Sequence, residues 1–194
     1  MQPATQSTLY ESLEALSPGL TGEILNGQLY TQPRPSGAHT NAGSVLGIEL
    51  GGPFHKGRGG PGGWWIYYEP EIHFARNLEV VVPDLAGWRR ERMPYPPEED
   101  HRFEVVPDWI CEILSPSTAG MDREIKLPLY AHYGVQYAWL IDPIEHTLEA
   151  YRLDAGVWVE SGRFADADRV IAPPFEAVGI ELEGLWLPRR PRLV

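Results

Sequence analysis

The sequence is short of cysteine, of long apolar runs and of cationic charge, and each shortage removes a class of protein. Its single cysteine, Cys111, cannot close an intrachain disulfide, which excludes a secreted disulfide scaffold. No run of about 18 apolar residues occurs. The N-terminal stretch "MQPATQSTLYESLEALSPG" has neither a basic nor an apolar leader region, so the expectation is a cytoplasmic chain without a membrane segment. Sixteen Lys and Arg against 27 Asp and Glu leave a net charge of −11, which repels phosphate backbones over the surface as a whole. That argues against tight nonspecific nucleic-acid binding, but not against a site whose acids are neutralised by divalent cations. His55, His73, His101, His132 and His146 show no H-x-H or H-E-x-x-H spacing and have no cysteine partners, so zinc is not expected. Neither a G-x-S-x-G elbow nor a Walker loop is present.

What is there suits a globular α/β chain. At 194 residues it is long enough to bury a core, and with no internal repeat or shift in composition it reads as a single domain over residues 1–194. Twenty glycines and 19 prolines predict many turns and short strands instead of a helical bundle. "TLYESLEAL" puts Leu9, Leu13 and Leu16 on one helical stripe closed by Pro18-Gly19, and "GEILNGQLY" alternates around Asn26-Gly27, a hairpin signal. "SGAHTNAGSVLGIEL" reads as a helix capped by Ser36. The segment 51–63, "GGPFHKGRGGPGG", reads as a linker loop. Its Gly57, Gly59 and Gly62 match a dinucleotide-binding spacing, but they follow a helix and run into a strand, the reverse of what that motif needs. "WWIYYEPEIHF" and "LEVVVPDLAGW" then read as two strands joined by the turn "ARN". "PDWICEIL", a helix from Ser117 or Thr118 to Gly134, and "QYAWLIDP" form a strand–helix–strand unit with a parallel pair. "TLEAYRL", "VWVESGRF" and "VGIELEGLWL" make a β-rich tail. Trp64, Trp65, Trp139 and Trp158 lie in apolar strand contexts and read as core or dimer contacts before base-stacking platforms.

The acids of the middle strands are the candidates for chemistry. On a strand, Asp108, Ile110, Glu112 and Leu114 share one face, and Trp109, Cys111 and Ile113 the other. Asp108 and Glu112 are then about 13 Å apart, at roughly 3.3 Å per residue, too far to share a magnesium ion bound at about 2.1 Å. Asp108 therefore reads as a strand-entry residue. Asp84 is the better partner for Glu112, because a neighbouring strand brings it within one sheet spacing of about 4.8 Å. Two carboxylates so placed suit magnesium or manganese; the alternative is a pair of buried or edge carboxylates balanced by arginines. Glu69 and Glu71 alternate in "YYEPEI" and read as a solvated strand face or as accessory carboxylates. The loop "GWRRERMPYPPEEDHR" carries Arg89, Arg90 and Arg92, candidate phosphate contacts or a solvated loop balanced by Glu98, Glu99 and Asp100.

"VVPDLAGWRRE", "PDWICEILSPST", "DREIKLPLYAHYGVQYAWLIDP" and "TLEAYRL", in this order, resemble the Uma-type endonuclease family of the PD-(D/E)XK restriction-endonuclease-like superfamily. The resemblance covers roughly residues 9 to 153. It implies a mixed central β-sheet flanked by helices, with an N-terminal helix and β-hairpin and a C-terminal β-rich tail. It also implies a metal-dependent endonuclease acting on DNA with Mg2+ or Mn2+, and a homodimer. Carried over by position, Asp84 is the aspartate of the Pro-Asp pair and Glu112 the acid of the D/E-x-K tripeptide. Leu114 stands in the lysine slot, so the lysine is supplied by Lys126 from the following helix. Asp84, Glu112 and the carbonyl of Ile113 are then the metal ligands. His39 matches a position where relatives carry a histidine, an accessory contact to phosphate or metal or else a packing residue.

Two features oppose the enzyme. On sequence alone Lys126 is a solvated helix lysine paired with Asp122 four residues earlier. Pro128, two residues on, disfavours a continuous helix and moves the expected helix start to near Glu124, turning Lys126 elsewhere. The other readings are a noncatalytic binding protein that keeps the nuclease fold, and a metal-dependent hydrolase of a small phosphorylated molecule.

Overall fold

A computed structural model describes residues 7–32 and 34–188; the first six residues of the stretch read above for a leader, Pro33 and residues 189–194 lie outside it. Thr8 and Glu11 close a reciprocal capping box on α1 (Leu9–Glu14), which buries Tyr10 and Leu13. β1 (Thr21–Leu25) and β2 (Gln28–Gln32) flank Asn26 and Gly27, whose φ angles of 51° and 69° are those a tight hairpin turn requires. Ser36 accepts the His39 N–H and caps α2 (Gly37–Leu50). A π-helical turn at Gly51–His55 extends α2, so the expected linker loop begins five residues later than its sequence suggests. Gly57, Gly59, Gly62 and Gly63 then take positive φ in the turns that follow.

The two long strands expected in the middle of the chain are each broken in two. Pro70 and Pro83 cannot donate a ladder hydrogen bond, and Glu69 turns the chain with a φ of 44°. The result is β3 (Trp64–Tyr68), β4 (Glu71–Ala75), β5 (Glu79–Val81) and β6 (Leu85–Arg89). β3 pairs with β6 and β4 with β5, so one bent hairpin contributes an arm to each of two sheets. The Glu69 N–H donates to the Asp84 carbonyl at 3.0 Å and ties the corner.

Beyond the corner come β7 (Arg102–Phe103) and β8 (Trp109–Ile113), then a helical stretch. It consists of α3 (Ala119–Met121), a π-helical turn over Asp122–Lys126 and α4 (Leu127–His132). The expected start near Glu124 is thus corrected: the helix starts at Ala119 and takes Pro128 in the first turn of α4. The Leu127 N–H reaches five residues back to the Asp122 carbonyl. A wider turn relieves the crowding a proline ring meets from the carbonyl four residues earlier, here that of Glu124. Gly134 ends the helix with a φ of 80°. β9 (Tyr137–Asp142) then pairs parallel to β8, completing the strand–helix–strand unit. β10 (Thr147–Asp154), β11 (Val157–Ala165), β12 (Arg169–Val170) and β13 (Ile180–Glu181) form the β-rich tail.

The six-stranded mixed sheet runs β11-β10-β9-β8-β6-β3, and the five-stranded sheet β2-β1-β5-β4-β7. β8 is buried on both faces. Trp109, Cys111 and Ile113 pack with α2 and the C-terminal segment, whereas Ile110 packs with α4 and the five-stranded sheet. The alternation read from the sequence is therefore the alternation between two cores. Phe175 joins the first of them, its ring 4.7 to 5.5 Å from those of Phe54, Trp64, Trp109 and Trp139. Deleting that ring leaves a cavity among four others, so Phe175→Ala is expected to cost about 3–5 kcal/mol. The urea midpoint reads the loss, and an unchanged midpoint would mean that the C-terminal segment is not part of this core.

Candidate active site

Where the two sheets part, a cleft of about 210 Å3 opens, lined by Arg34, His39, Glu69 and Asp84 and by the Ser115–Thr118 turn. Its position follows from the corner. Asp84 is the residue before β6, and the antiparallel register Leu85↔Cys111 places it opposite Glu112 on β8. The Asp84 carboxylate is held at both oxygens: Oδ2 accepts the Ile113 N–H at 2.6 Å, and Oδ1 lies 3.1 Å from His39 Nε2. Burial pulls the His39 imidazole down, but the hydrogen bond and charge of Asp84 more than offset it, so its pKa is raised. His39 Nδ1 is buried with no partner among the described residues. Glu69, at the rim, is pushed up by desolvation first and by Asp84 second.

Glu112 lies next to this cleft but outside its lining, in a second and fully buried cluster. Lys126 Nζ is 2.8 Å from Glu112 Oε1, 3.0 Å from Glu23 Oε1 and 3.8 Å from Asp122 Oδ1. With 1% of its side chain exposed, Lys126 is not the solvated helix lysine that the sequence alone suggests, and Asp122 is its most distant partner. The Tyr130 hydroxyl donates to the same Glu112 Oε1 at 2.5 Å, which leaves Oε2 for another partner. Burial raises the Glu112 carboxyl well above its usual range, with Lys126 opposing and Asp122, Asp84 and Glu23 adding to the rise. Burial pulls Lys126 down, and the carboxylates of Glu112 and Glu23 reverse it, so the ammonium stays charged.

Glu23 and Tyr130 escaped the sequence analysis. Glu23 accepts the Val82 N–H at 2.8 Å and a hydrogen bond from Gln32, which fixes β1 to the strand leading into Asp84. In the sequence it is only the polar residue of an alternating strand, and nothing in its spacing marks it. Tyr130 sits one helical turn after Lys126, and that i, i+4 spacing was a signal available to be read.

The remaining candidates are placed elsewhere. Glu71 holds His73 at 2.6 Å and His101 at 3.5 Å, away from Asp84. Asp108 accepts the Arg89 N–H and the Arg92 guanidinium, both at 2.8 Å, which is the work of a strand-entry residue. The Arg89 guanidinium lies over Trp64, and that of Arg90 lies over Trp65 and donates to the His55 carbonyl. None of these three arginines lines the cleft.

Among the described residues, no group of three or more His, Cys, Asp or Glu side chains forms a ready-made metal centre. Magnesium needs less, because it keeps several waters and is commonly held by one or two carboxylates and the substrate's phosphate. The donors at hand are hard oxygens. Asp84 stands opposite Glu112 across the β6–β8 pair, and the crowding by Asp122, Asp84 and Glu23 that adds to the proton affinity of Glu112 is relieved by a divalent cation as well as by a proton. The residues present therefore fit such an ion.

Comparison with known proteins bears on the family and the fold. The family model Uma2, described as "Putative restriction endonuclease", matches residues 8–184. A crystal structure titled as that of a "putative nuclease belonging to DUF820" from Anabaena variabilis ATCC 29413 superposes with a TM-score of 0.68. It is 26% identical, over 92% of this chain and 97% of that one. No curated protein matches. No helix among the described residues is long and apolar enough to cross a membrane.

The buried cluster has a pH signature. Burial raises the Asp122 carboxyl from an ordinary 3.8 to about 6. Between about pH 4 and 6 the folded state therefore holds more protons than the unfolded chain. The contribution of Asp122 to stability is greatest below that window and is lost as pH rises through it. Asp122→Asn is expected to flatten urea-midpoint profiles over this window by on the order of 2 kcal/mol. Lys126→Met, which leaves three carboxylates unbalanced, is expected to cost about 3–5 kcal/mol at pH 8 and less at pH 5. Profiles indistinguishable from the parent protein would show that the cluster is not charged as described.

Proposed function

The chain belongs to the Uma2 family, and on that premise we propose that it is a nuclease that hydrolyses DNA phosphodiester bonds with a magnesium or manganese ion. Asp84, Glu112 and the carbonyl of Ile113 would hold the ion. When bound, a divalent ion supplies Lewis acidity toward the phosphoryl oxygen and lowers the pKa of a coordinated water.

The chain's own residues supply the rest. His39 and the Ile113 N–H fix the Asp84 carboxylate, so that no reorientation is needed when charge develops. Tyr130 and Lys126 fix Oε1 of Glu112 and leave Oε2 to face a ligand. Lys126 also places a positive charge beside the reacting phosphate, where it stabilises negative charge that builds as the water oxygen bonds to phosphorus and the leaving oxygen departs. The observation that carries the reading is the 2.8 Å contact between Lys126 Nζ and Glu112 Oε1. Leu114 occupies the strand position where the tripeptide has its lysine, and a side chain from the following helix brings an ammonium to Glu112 instead.

Incubation with magnesium or manganese is expected to nick and linearise supercoiled plasmid, whose underwound duplex opens unpaired stretches, and to fragment single-stranded circular DNA. Asp84→Ala, Glu112→Gln and Lys126→Met should each lower the rate by about 100-fold or more. Calorimetric titration should show ion binding that disappears in the first two variants. Plasmid cleavage that survives all three substitutions would sink the assignment. Cleavage confined to a small chromogenic phosphodiester would favour a small-molecule hydrolase, and absence of both cleavage and ion binding a noncatalytic scaffold.

A further inference from the structure

A second, larger groove of about 680 Å3 runs beside the cleft, between α2 and β3. The two adjoin along the chain: Thr40, Tyr68 and Leu85 line the groove, and their chain neighbours His39, Glu69 and Asp84 line the cleft. At the groove stand Lys56 and Arg58, both exposed. Unlike Arg92, neither forms an ion pair with a described residue. The ring of Tyr68, 47% exposed, lines the same groove as the cations, and the next residue, Glu69, lines the cleft. The Tyr68 ring rests so closely on α2 that a Cβ at Gly43 would come within 3.2 Å of it.

Resting on the nuclease reading, we infer that this groove binds the strand flanking the scissile phosphate as an unpaired strand, with phosphates at Lys56 and Arg58 and a base stacked on Tyr68. The substrate class is then single-stranded or frayed DNA, not continuous duplex. The groove's size is that of a small-ligand site, in the range of about 300–1,000 Å3, so it admits a nucleotide or two. Stacking on a side-chain ring requires a base already out of its helix, and a ring beside a few cations is the common design for single strands. A duplex is held by many phosphate contacts along an extended cationic face, which a chain of net charge −11 is poorly supplied to build.

Gly51 provides a clean test. It continues α2 with a φ of −63°, and a Cβ there would meet nothing within 4 Å, so a leucine fills the groove without straining the fold. Binding is read by fluorescence anisotropy of a labelled oligothymidine and of a hairpin duplex, with Glu112→Gln as the background to prevent cleavage. The single strand should bind more tightly than the duplex. Gly51→Leu and the double change Lys56→Ala/Arg58→Ala should each weaken single-strand binding by about 10-fold or more, with melting temperatures unchanged. The double change should also flatten the log–log salt dependence by about 1.4, at roughly 0.7 per single-strand phosphate. In the otherwise unaltered protein, the same groove variants should hydrolyse bis(p-nitrophenyl) phosphate, too small to reach the groove, at the parent rate. Parent-like binding of the single strand by both variants, preference for the duplex, or loss of small-diester hydrolysis would overturn the inference. If the parent protein cleaves neither plasmid, nor single-stranded oligothymidine, nor the small diester with magnesium or manganese, the nuclease reading itself falls, and that outcome is read without any groove variant.

Discussion

The ammonium of Lys126 is the point on which the arrangement turns. It is buried, and its nearest partners come from separate elements: Glu23 from β1 of one sheet, Glu112 from β8 of the other, and Asp122 from its own helix. An unpaired charge at that depth is costly enough that all four side chains must hold their places together. The two sheets and the helix are therefore registered against one another by charge as well as by the apolar contacts of Ile110, Leu129 and Tyr130. Such clusters are inefficient as stabilisers, since well-packed apolar residues of similar volume often do as well or better. Packing alone is a weak reason for this one to be charged, and the nuclease role proposed for Glu112 offers a better one.

The second constraint is the corner. Two prolines and one residue at positive φ stop a long hairpin from running straight, and the bend sends its arms into different sheets. A straight hairpin would bury Asp84 in a ladder or turn it to solvent. The bend places it at the entry to β6, where His39 and the Ile113 N–H reach it. Glu69, in an uncommon conformation for a residue with a Cβ, stands at the cleft that this bend creates. Backbone strain of this kind persists where the surroundings over-determine it, and functional sites are where it clusters.

How much of this was legible depended on the range of the interaction involved. The Asn26-Gly27 turn, the Ser36 cap, the Gly134 stop and the alternation of β8 are local signals, and each is found where its chemistry requires. That Asp84 faces Glu112 was legible through a Pro-Asp pair and a strand period, with the resemblance to a known family deciding which acids to join. Three features were not legible. The division of "WWIYYEPEIHF" and "LEVVVPDLAGW" depended on which sheet each arm joins, and a proline in a strand signals an edge without saying which. The π-helical turn before Pro128 is one of several ways a helix can absorb a proline. Glu23 is 89 residues from Glu112, and its role exists only once two sheets have met.

Overall charge and local charge act on different questions in this molecule. A net charge of −11 governs long-range approach and is screened within about 8 Å at physiological salt. What happens in the cleft is set inside that distance, by carboxylates whose burial both raises their proton affinity and makes a cation welcome. The same low-dielectric surroundings strengthen whatever positive charge is present, so one buried ammonium counts for more there than several exposed arginines on the loop between β6 and β8. Arg89, Arg90 and Arg92 are engaged by Trp64, Trp65 and Asp108, which leaves Arg34 at the cleft and Lys56 and Arg58 at the groove to meet an incoming phosphate. An acidic surface of this kind selects against long cationic tracks and in favour of short contacts close to the reacting bond. It is thus consistent with a substrate gripped over one or two nucleotides, and poorly suited to one held along a duplex.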